Sequence, residues 1–160
     1  MEALEAGVSL IQIVGEFDEK MSAAKLKLLI DKPQNPVYIL ADSRHFWRVI
    51  DNLMNNICKY AQPGTRVYIN LEKMGDMARL TFRNTSKYPL NISSEELMER
   101  FVRGDSSRNT EGSGLGLSIA KSLMDLMKGR FSLYVDGDLF KVVLEFPEAD
   151  GELPIEVDTE

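Results

Sequence analysis

Arg48-Val49-Ile50-Asp51-Asn52-Leu53-Met54-Asn55-Asn56-Ile57-Cys58-Lys59-Tyr60 is the stretch that decides how this 160-residue chain is read. At about 100° per residue, Phe46, Val49, Ile50, Leu53, Ile57 and Tyr60 share one face, while Arg48, Asn52, Asn55, Asn56 and Lys59 fall on the adjacent arc. The spacing therefore predicts a helix with an apolar stripe and a polar flank. Asn is a mediocre helix former because its amide competes for the backbone, so its density here calls for a reason. An amphipathic helix with a solvated, Asn-rich side accounts for the pattern. So does a ligand set, with the Asn56 carbonyl oxygen for a hard cation and Lys59, one turn on, as a point charge for a phosphate.

Around this helix, which the pattern places at 43–61, the chain alternates helices and hairpins. Further helices are expected at 10–23 and 115–128, and the Ser93-Ser94-Glu95-Glu96 capping pattern opens a shorter one. Runs rich in β-branched and aromatic residues at 131–135 and 140–146 flank Asp136-Gly137-Asp138, and those at 67–73 and 78–83 flank Gly75-Asp76. Both pairs read as hairpins with turns that supply a residue at positive φ. Short strands are also expected at 37–40 and 25–30. This mixture implies an α+β fold with helices layered over one face of a sheet.

Composition narrows the function classes. A chain of this length buries roughly 70% of the surface its unfolded form exposes, so it needs no disulfide or metal staple. Its single cysteine, Cys58, leaves no internal disulfide framework or Cys-rich metal site, which fits a reducing compartment. The apolar run at 37–41 is far shorter than the ~18 residues of a membrane span, and no signal peptide is recognisable. The formal charge of −6 argues against a nucleic-acid partner. That charge is unevenly placed: seven acids and no Lys or Arg occupy 145–160, which leaves 1–144 close to neutral at +1. The expected organisation is one domain over 1–147 followed by an acidic, disordered tail over 148–160.

The second informative stretch is Glu111-Gly112-Ser113-Gly114-Leu115-Gly116-Leu117-Ser118. Alternate glycines run directly into an apolar-periodic helix, so unobstructed backbone N–H groups gather at a positive helix terminus, which suits a phosphate. The stretch is neither a P-loop nor a dinucleotide fingerprint. Alone, such a stretch is more often a flexible loop serving as a helix N-terminus.

Together the segments resemble a definite family. Asn52 to Tyr60 resembles the N box of the sensor histidine kinases; Phe101-Val102-Arg103-Gly104-Asp105-Ser106-Ser107-Arg108 is similar to their F box and the entry to their ATP lid; Gly112 to Leu117 is similar to their second glycine box. The order and the spacing of about fifty residues also fit, and the resemblance covers the chain from Leu4 to Pro147. It implies the catalytic and ATP-binding domain of a two-component sensor kinase in the GHKL superfamily. The implied fold is a Bergerat-type two-layer α/β sandwich, a mixed, mostly antiparallel sheet of about five strands with three main helices on one face.

The resemblance further implies ATP and Mg²⁺ as cofactors, with Asn56 as the Mg²⁺ ligand, Lys59 as a phosphate contact, and Tyr60 beside the adenine while also packing in the core. Asn52 stands where hydrolysing relatives carry a glutamate base. Because an amide takes no proton from water, transfer to a protein is implied rather than fast hydrolysis. Asn52 and Arg103 are thus the implied catalytic pair, with Arg103 near the γ-phosphate, and Gly112, Gly114, Leu115 and Gly116 line the phosphates. Phe101 is expected to pack the lid root, Met98 to replace a second phenylalanine there, and Arg108 to be a solvated lid residue.

One segment departs from the family pattern. Where the first glycine box would place an aspartate for the adenine amino group, this chain reads Asn84-Thr85-Ser86-Lys87-Tyr88-Pro89-Leu90. Asn84 still accepts through its amide oxygen, though a neutral acceptor is weaker than a charged one. The alternative this raises is a degenerate nucleotide-binding or scaffolding module; an ATP-hydrolysing or serine-phosphorylating relative is a third reading. The only histidine, His45, lacks the flanking residues of a phosphoacceptor box and is expected in the first turn of the 43–61 helix. The implied setting is a cytoplasmic fragment of a parent anchored in a bacterial inner membrane. Its implied partners are the parent's phosphoacceptor (dimerisation) domain and, through it, a response regulator; neither nucleic acid nor direct membrane insertion is expected.

Overall fold

The structure, a computed structural model, describes residues 1–88 and 115–149. The capping pattern at Ser93, Met98, Phe101, Arg103, Arg108, Gly112, Gly114 and residues 150–160 lie outside the described residues. The described elements run β1 (Glu2–Glu5), α1 (Ala6–Gly15), α2 (Asp18–Ala23), β2 (Lys27–Asp31), β3 (Tyr38–Ala41), α3 (Ser43–Tyr60), β4 (Arg66–Met74), β5 (Met77–Thr85), α4 (Leu115–Leu126), β6 (Arg130–Asp136) and β7 (Leu139–Pro147).

Five strands form the main sheet in the order β2-β4-β5-β7-β6. β2 runs parallel to β4, and every other pairing is antiparallel. The two expected hairpins are both present, with Gly75 (φ 65°) and Gly137 (φ 61°) supplying the left-handed residue in two-residue turns. Along each strand the pleat sends alternate residues inward. Val67, Ile69, Leu80, Phe82, Val142, Leu144 and Phe146 are buried under the helices, and their neighbours face the other way. The sandwich is the fold class expected from the sequence.

Two elements differ from expectation. The 37–40 strand stands outside the main sheet, because β3 pairs antiparallel with β1, which the sequence reading did not recognise. The 10–23 helix is two helices. α1 begins earlier, with the Glu5 carboxylate accepting from the Val8 N–H at 2.8 Å. It ends at Gly15, where the Glu16 and Phe17 N–H groups close a tighter last turn on Ile13 and Val14, before α2 starts at Asp18. The apolar period hid this break, since Val14, Phe17 and Met21 are all buried on either side of it.

Helix α3 lies across the middle of the core. Its first turn is capped by Asp42, whose carboxylate accepts from the Arg44 and His45 N–H groups at 2.9 and 3.0 Å. These backbone bonds hold the Asp42 carboxyl below its usual range. His45 is in that first turn, as expected. Phe46 is pinned against Phe146 of β7, with ring centroids 5.5 Å apart, and each ring is 1% exposed. Burying a side chain of this kind is worth about 1.5–3 kcal/mol.

Candidate nucleotide site at the end of helix α3

The last turn of α3 is tied to the exit of β5 by a short series of backbone bonds. The Gln62 N–H donates to the Thr85 carbonyl and the Lys87 N–H to the Tyr60 carbonyl, both at 2.8 Å, and Ala61 bridges Ser86. The Ser86 N–H in turn donates to the Asp138 carbonyl of the β6–β7 turn at 2.7 Å. Three sequence-distant segments are thereby fixed around one point. No signal in the sequence announced this seam, because its donors and acceptors are main-chain groups.

The seam has a direct consequence for two of the expected residues. Asn84 is on the inward side of β5, where the pleat otherwise places Ala78, Leu80 and Phe82, and it is only 4% exposed. Opposite it stands Asn56 of α3. Both line one small void in the core, too tight for a water molecule, whose other walls are the buried Leu53, Ile57, Phe82, Phe140 and Val142. A polar side chain at a core position is costly unless something hydrogen-bonds to it, so two amides converging at the edge of the apolar core call for a polar partner there.

Asn52 lies one turn before Asn56 on the same flank of α3. Its Nδ2 atom is buried with no hydrogen-bond partner among the described residues. Such a donor costs about 1–3 kcal/mol, and an orphan of this kind marks a place where a partner is missing. Lys59 is exposed and Tyr60 half-buried on the final turn, so the flank carries its cation outermost. Helix α4 packs against α3 through Leu117, Ala120 and Met124, which are buried. Its N-terminus at Leu115 and Gly116 therefore stands beside the same helix. The structure brings Asn52, Asn56, Lys59, Tyr60 and Asn84 to the end of α3, with Leu115 and Gly116 opening the neighbouring helix.

Asn55, counted on the same polar arc, turns elsewhere. It accepts from Lys20 Nζ at 3.0 Å and donates to the Asp51 carbonyl at 3.0 Å, fastening α2 to α3. Burial raises the Asp51 carboxyl, opposed by the Lys20 charge nearby. Cys58 faces the same side, with its Sγ 3.6 Å from Met21 Sδ, and burial pushes its thiol up. The Asn-rich arc is thus divided: Asn55 serves tertiary packing between α2 and α3, while Asn56 turns toward Asn84.

Among the described residues no group of three or more His, Cys, Asp or Glu could hold a metal ion. A cation at Asn56 would have one amide oxygen from the described residues and would take its remaining ligands from a bound phosphate and water, the usual habit of Mg²⁺. No helix of the described residues is long and apolar enough to cross a membrane.

Residues 41–150 match the model of the family described as histidine kinase-, DNA gyrase B- and HSP90-like ATPase. Among curated proteins, the probable sensor protein PcoS of Escherichia coli is 38% identical over 110 residues, 66% of this chain and 24% of that protein. The sensor histidine kinase RppB of Synechocystis is 36% identical over 128 residues, 79% of this chain and 28% of that protein. The chain thus spans about a quarter of the length of these relatives. Among solved structures, the nucleotide-free catalytic domain of histidine kinase ThkA superposes with a TM-score of 0.80 at 22% identity, covering 92% of this chain and 97% of that one. Full-length ShkA in complex with AMPPNP gives 0.74 at 20% identity, over 92% of this chain and 31% of that one. Both share the fold described above.

Proposed function

Because the chain belongs to the family of histidine kinase-, DNA gyrase B- and HSP90-like ATPases, we propose that it is the ATP-binding catalytic domain of a sensor histidine kinase. It holds Mg·ATP against the polar flank of α3 and transfers the γ-phosphoryl group to a histidine on a phosphoacceptor domain. The observation that carries this reading is the set of three amides near the end of α3: Asn84 and Asn56 line one small void, and Asn52 on the same helix has a buried donor without a partner among the described residues.

Each residue then has a task. Asn84 accepts from the edge of the base, with Tyr60 beside it. The Asn56 oxygen holds the cation that bridges the phosphates and neutralises charge as the phosphoryl group moves. Lys59 steadies the phosphates from the solvent side, and the Asn52 amide donates toward them. Arg103 supplies positive charge at the transferring group, and the backbone N–H groups of Gly112, Gly114, Leu115 and Gly116 line the phosphates at the start of α4. No carboxylate of α3 stands where Asn52 does, so water at this place meets no base and the group is kept for a protein acceptor. The domain boundary is proposed at 147, and the parent is proposed to be a bacterial membrane kinase that passes the group to a response regulator.

Titration with ADP or a non-hydrolysable ATP analogue, with and without Mg²⁺, tests the reading. Saturable binding that needs Mg²⁺ and is lost in Asn56→Ala is expected; no binding at millimolar nucleotide would leave only a scaffolding module. Adding a separately produced phosphoacceptor helix hairpin with γ-labelled ATP should label that hairpin. Substantial ATP turnover by the isolated chain, abolished in Asn52→Ala, would instead make it a hydrolase.

A further inference from the structure

Strand β2 ends the main sheet: in the order β2-β4-β5-β7-β6 its one neighbour among the described residues is β4. The Lys27 N–H donates to the Thr65 carbonyl at 3.1 Å. In the parallel register the main-chain groups of Lys27, Leu29 and Asp31 therefore address β4, and those of Leu28 and Ile30 point to the outer edge. The side chains divide by the pleat. Leu28 and Ile30 are half-buried against the core on the helix side, whereas Lys27, Leu29 and Asp31 are exposed on the open face of the sheet, the one turned away from the helices.

Charged side chains on an edge strand ordinarily keep a second copy away. Here they carry both signs: Lys27-Leu28-Leu29-Ile30-Asp31 places a cation and an acid at equal distances either side of Leu29. Turned end for end, the strand meets itself with opposite charges in register. Laid antiparallel about Leu29, Lys27 faces Asp31 of a second copy at both ends, Leu28 faces Ile30, and Leu29 faces Leu29. Leu28 and Ile30 are the residues whose N–H and C=O groups point outward, so each such pair exchanges both of its backbone bonds. Lys27 and Asp31 then fall at non-hydrogen-bonded positions, where opposed Cα atoms are about 4.5 Å apart and side chains are closest. Moving the centre to Leu28 or Ile30 sets Leu29 against Lys27 or against Asp31. A register in which Leu28 faces Leu29 aligns outward groups with inward ones and closes no bonds.

A second feature asks for an acid at this place. Lys27 stands directly beside Arg66 of β4, and with Lys25 these cations line a hollow whose lining holds no acid. Like charges opposed across strands are unfavourable. Neither Lys27 nor Asp31 has an ion-pair partner among the described residues. Asp31 of a second copy completes the row: the acid stands against Lys27, with Arg66 one strand further in. The joint is confined to the five residues of β2. At one end the Leu26 N–H is already bonded to the Met21 carbonyl at 2.9 Å, and at the other Pro33 follows closely on Asp31.

We propose that two copies of this chain associate edge to edge through β2, antiparallel and centred on Leu29, with Lys27 of each copy paired to Asp31 of the other. The joint is isologous and is satisfied by one partner, so it makes a dimer rather than a fibre. It runs the two sheets into one of ten strands, five from each copy. The two-fold axis stands perpendicular to that sheet and puts both helix layers on one side. A joint of this size buries little surface, so the association is transient.

Sedimentation velocity and amide NMR of the 160-residue chain at low ionic strength, from about 10 μM to about 1 mM, test this. The sedimentation coefficient should rise with concentration, and the Leu28 and Ile30 amides should shift along the same curve while those of Ser132 and Tyr134 on β6 hold still. Lys27→Asp and Asp31→Lys, each alone, set like charges face to face and should weaken association about tenfold. An equimolar mixture of the two variants should associate again, because one chain then presents an acid at both positions and the other a lysine at both. The double variant, with the two charges exchanged, should associate as the parent does. Recovery in the mixture is a result that misfolding does not produce. A chain that stays monomeric to about 1 mM would overturn the proposal. So would association that survives either single variant, that fails to return in the mixture, or that moves the β6 amides in place of those of β2.

Discussion

Replacing Asn52 by leucine sets stability against function in a single experiment. The Nδ2 donor of Asn52 is buried without a partner among the described residues, a loss of about 1–3 kcal/mol to the nucleotide-free fold. Leucine has a similar branched shape, removes the orphan donor, and is the better helix former by roughly 0.5 kcal/mol. Against this stands whatever the amide oxygen contributes, so a net gain of about 1–2 kcal/mol is expected. For a chain of this size that raises Tm by about 2–8 °C. Urea unfolding without nucleotide should show a higher midpoint at unchanged slope. The same substitution should erase the stabilisation by Mg·ADP, which at a hundred times Kd amounts to about 2.7 kcal/mol in the parent protein. If Asn52→Leu instead lowers nucleotide-free stability by more than about 1 kcal/mol, the amide is part of the structure and is not waiting for a ligand.

Three further substitutions or measurements probe the scaffold around the site. Gly129→Ala would bring a Cβ to 2.5 Å from the Glu145 carbonyl oxygen and 2.7 Å from Met124 Cε, so it should cost about 1–3 kcal/mol in a urea midpoint as β6 is pushed off β7. Asp42→Asn keeps the cap of α3 but removes its charge. Since the folded carboxyl is held below 3.8, its extra stability is present at neutral pH and lost as pH falls through that lowered value. The variant should therefore be less stable than the parent at pH 7 and converge with it at the acid end. Cys58, half-buried with a raised pKa, should react with iodoacetamide at pH 8 at least tenfold more slowly than in 6 M urea; equal rates would mean that α2 does not cover it.

What the sequence made legible follows from where the information is stored. The α3 pattern was readable because its apolar face and its Asn flank are carried by thirteen consecutive residues at one period, and burial of Phe46, Val49, Ile50, Leu53 and Ile57 follows it. The hairpins were readable because Gly75-Asp76 and Gly137-Asp138 encode their turns locally. β1 was not, since Glu-Ala-Leu-Glu favours a helix and becomes a strand only by pairing with β3. The gap between α1 and α2 escaped because apolar spacing continues through Phe17 regardless of the backbone between. At the site, Asn56 and Asn84 were each nameable, but their meeting across one small void depends on the Ala61–Ser86 seam, made of backbone groups that no side chain advertises. Asn55 was legible as polar, yet its attachment to Lys20 lies 35 residues away in the chain.

A nucleotide held at the end of α3 must touch the three amides there. Side-chain NH₂ resonances of Asn52, Asn56 and Asn84, followed by NMR as Mg·ADP is added, test this most directly. All three should move together along one saturable curve, Asn52 most strongly because its donor acquires its first partner. Shifts in the presence of millimolar Mg·ADP that spare Asn52 and Asn84, or that gather on the open face of the sheet, would contradict a nucleotide site on α3.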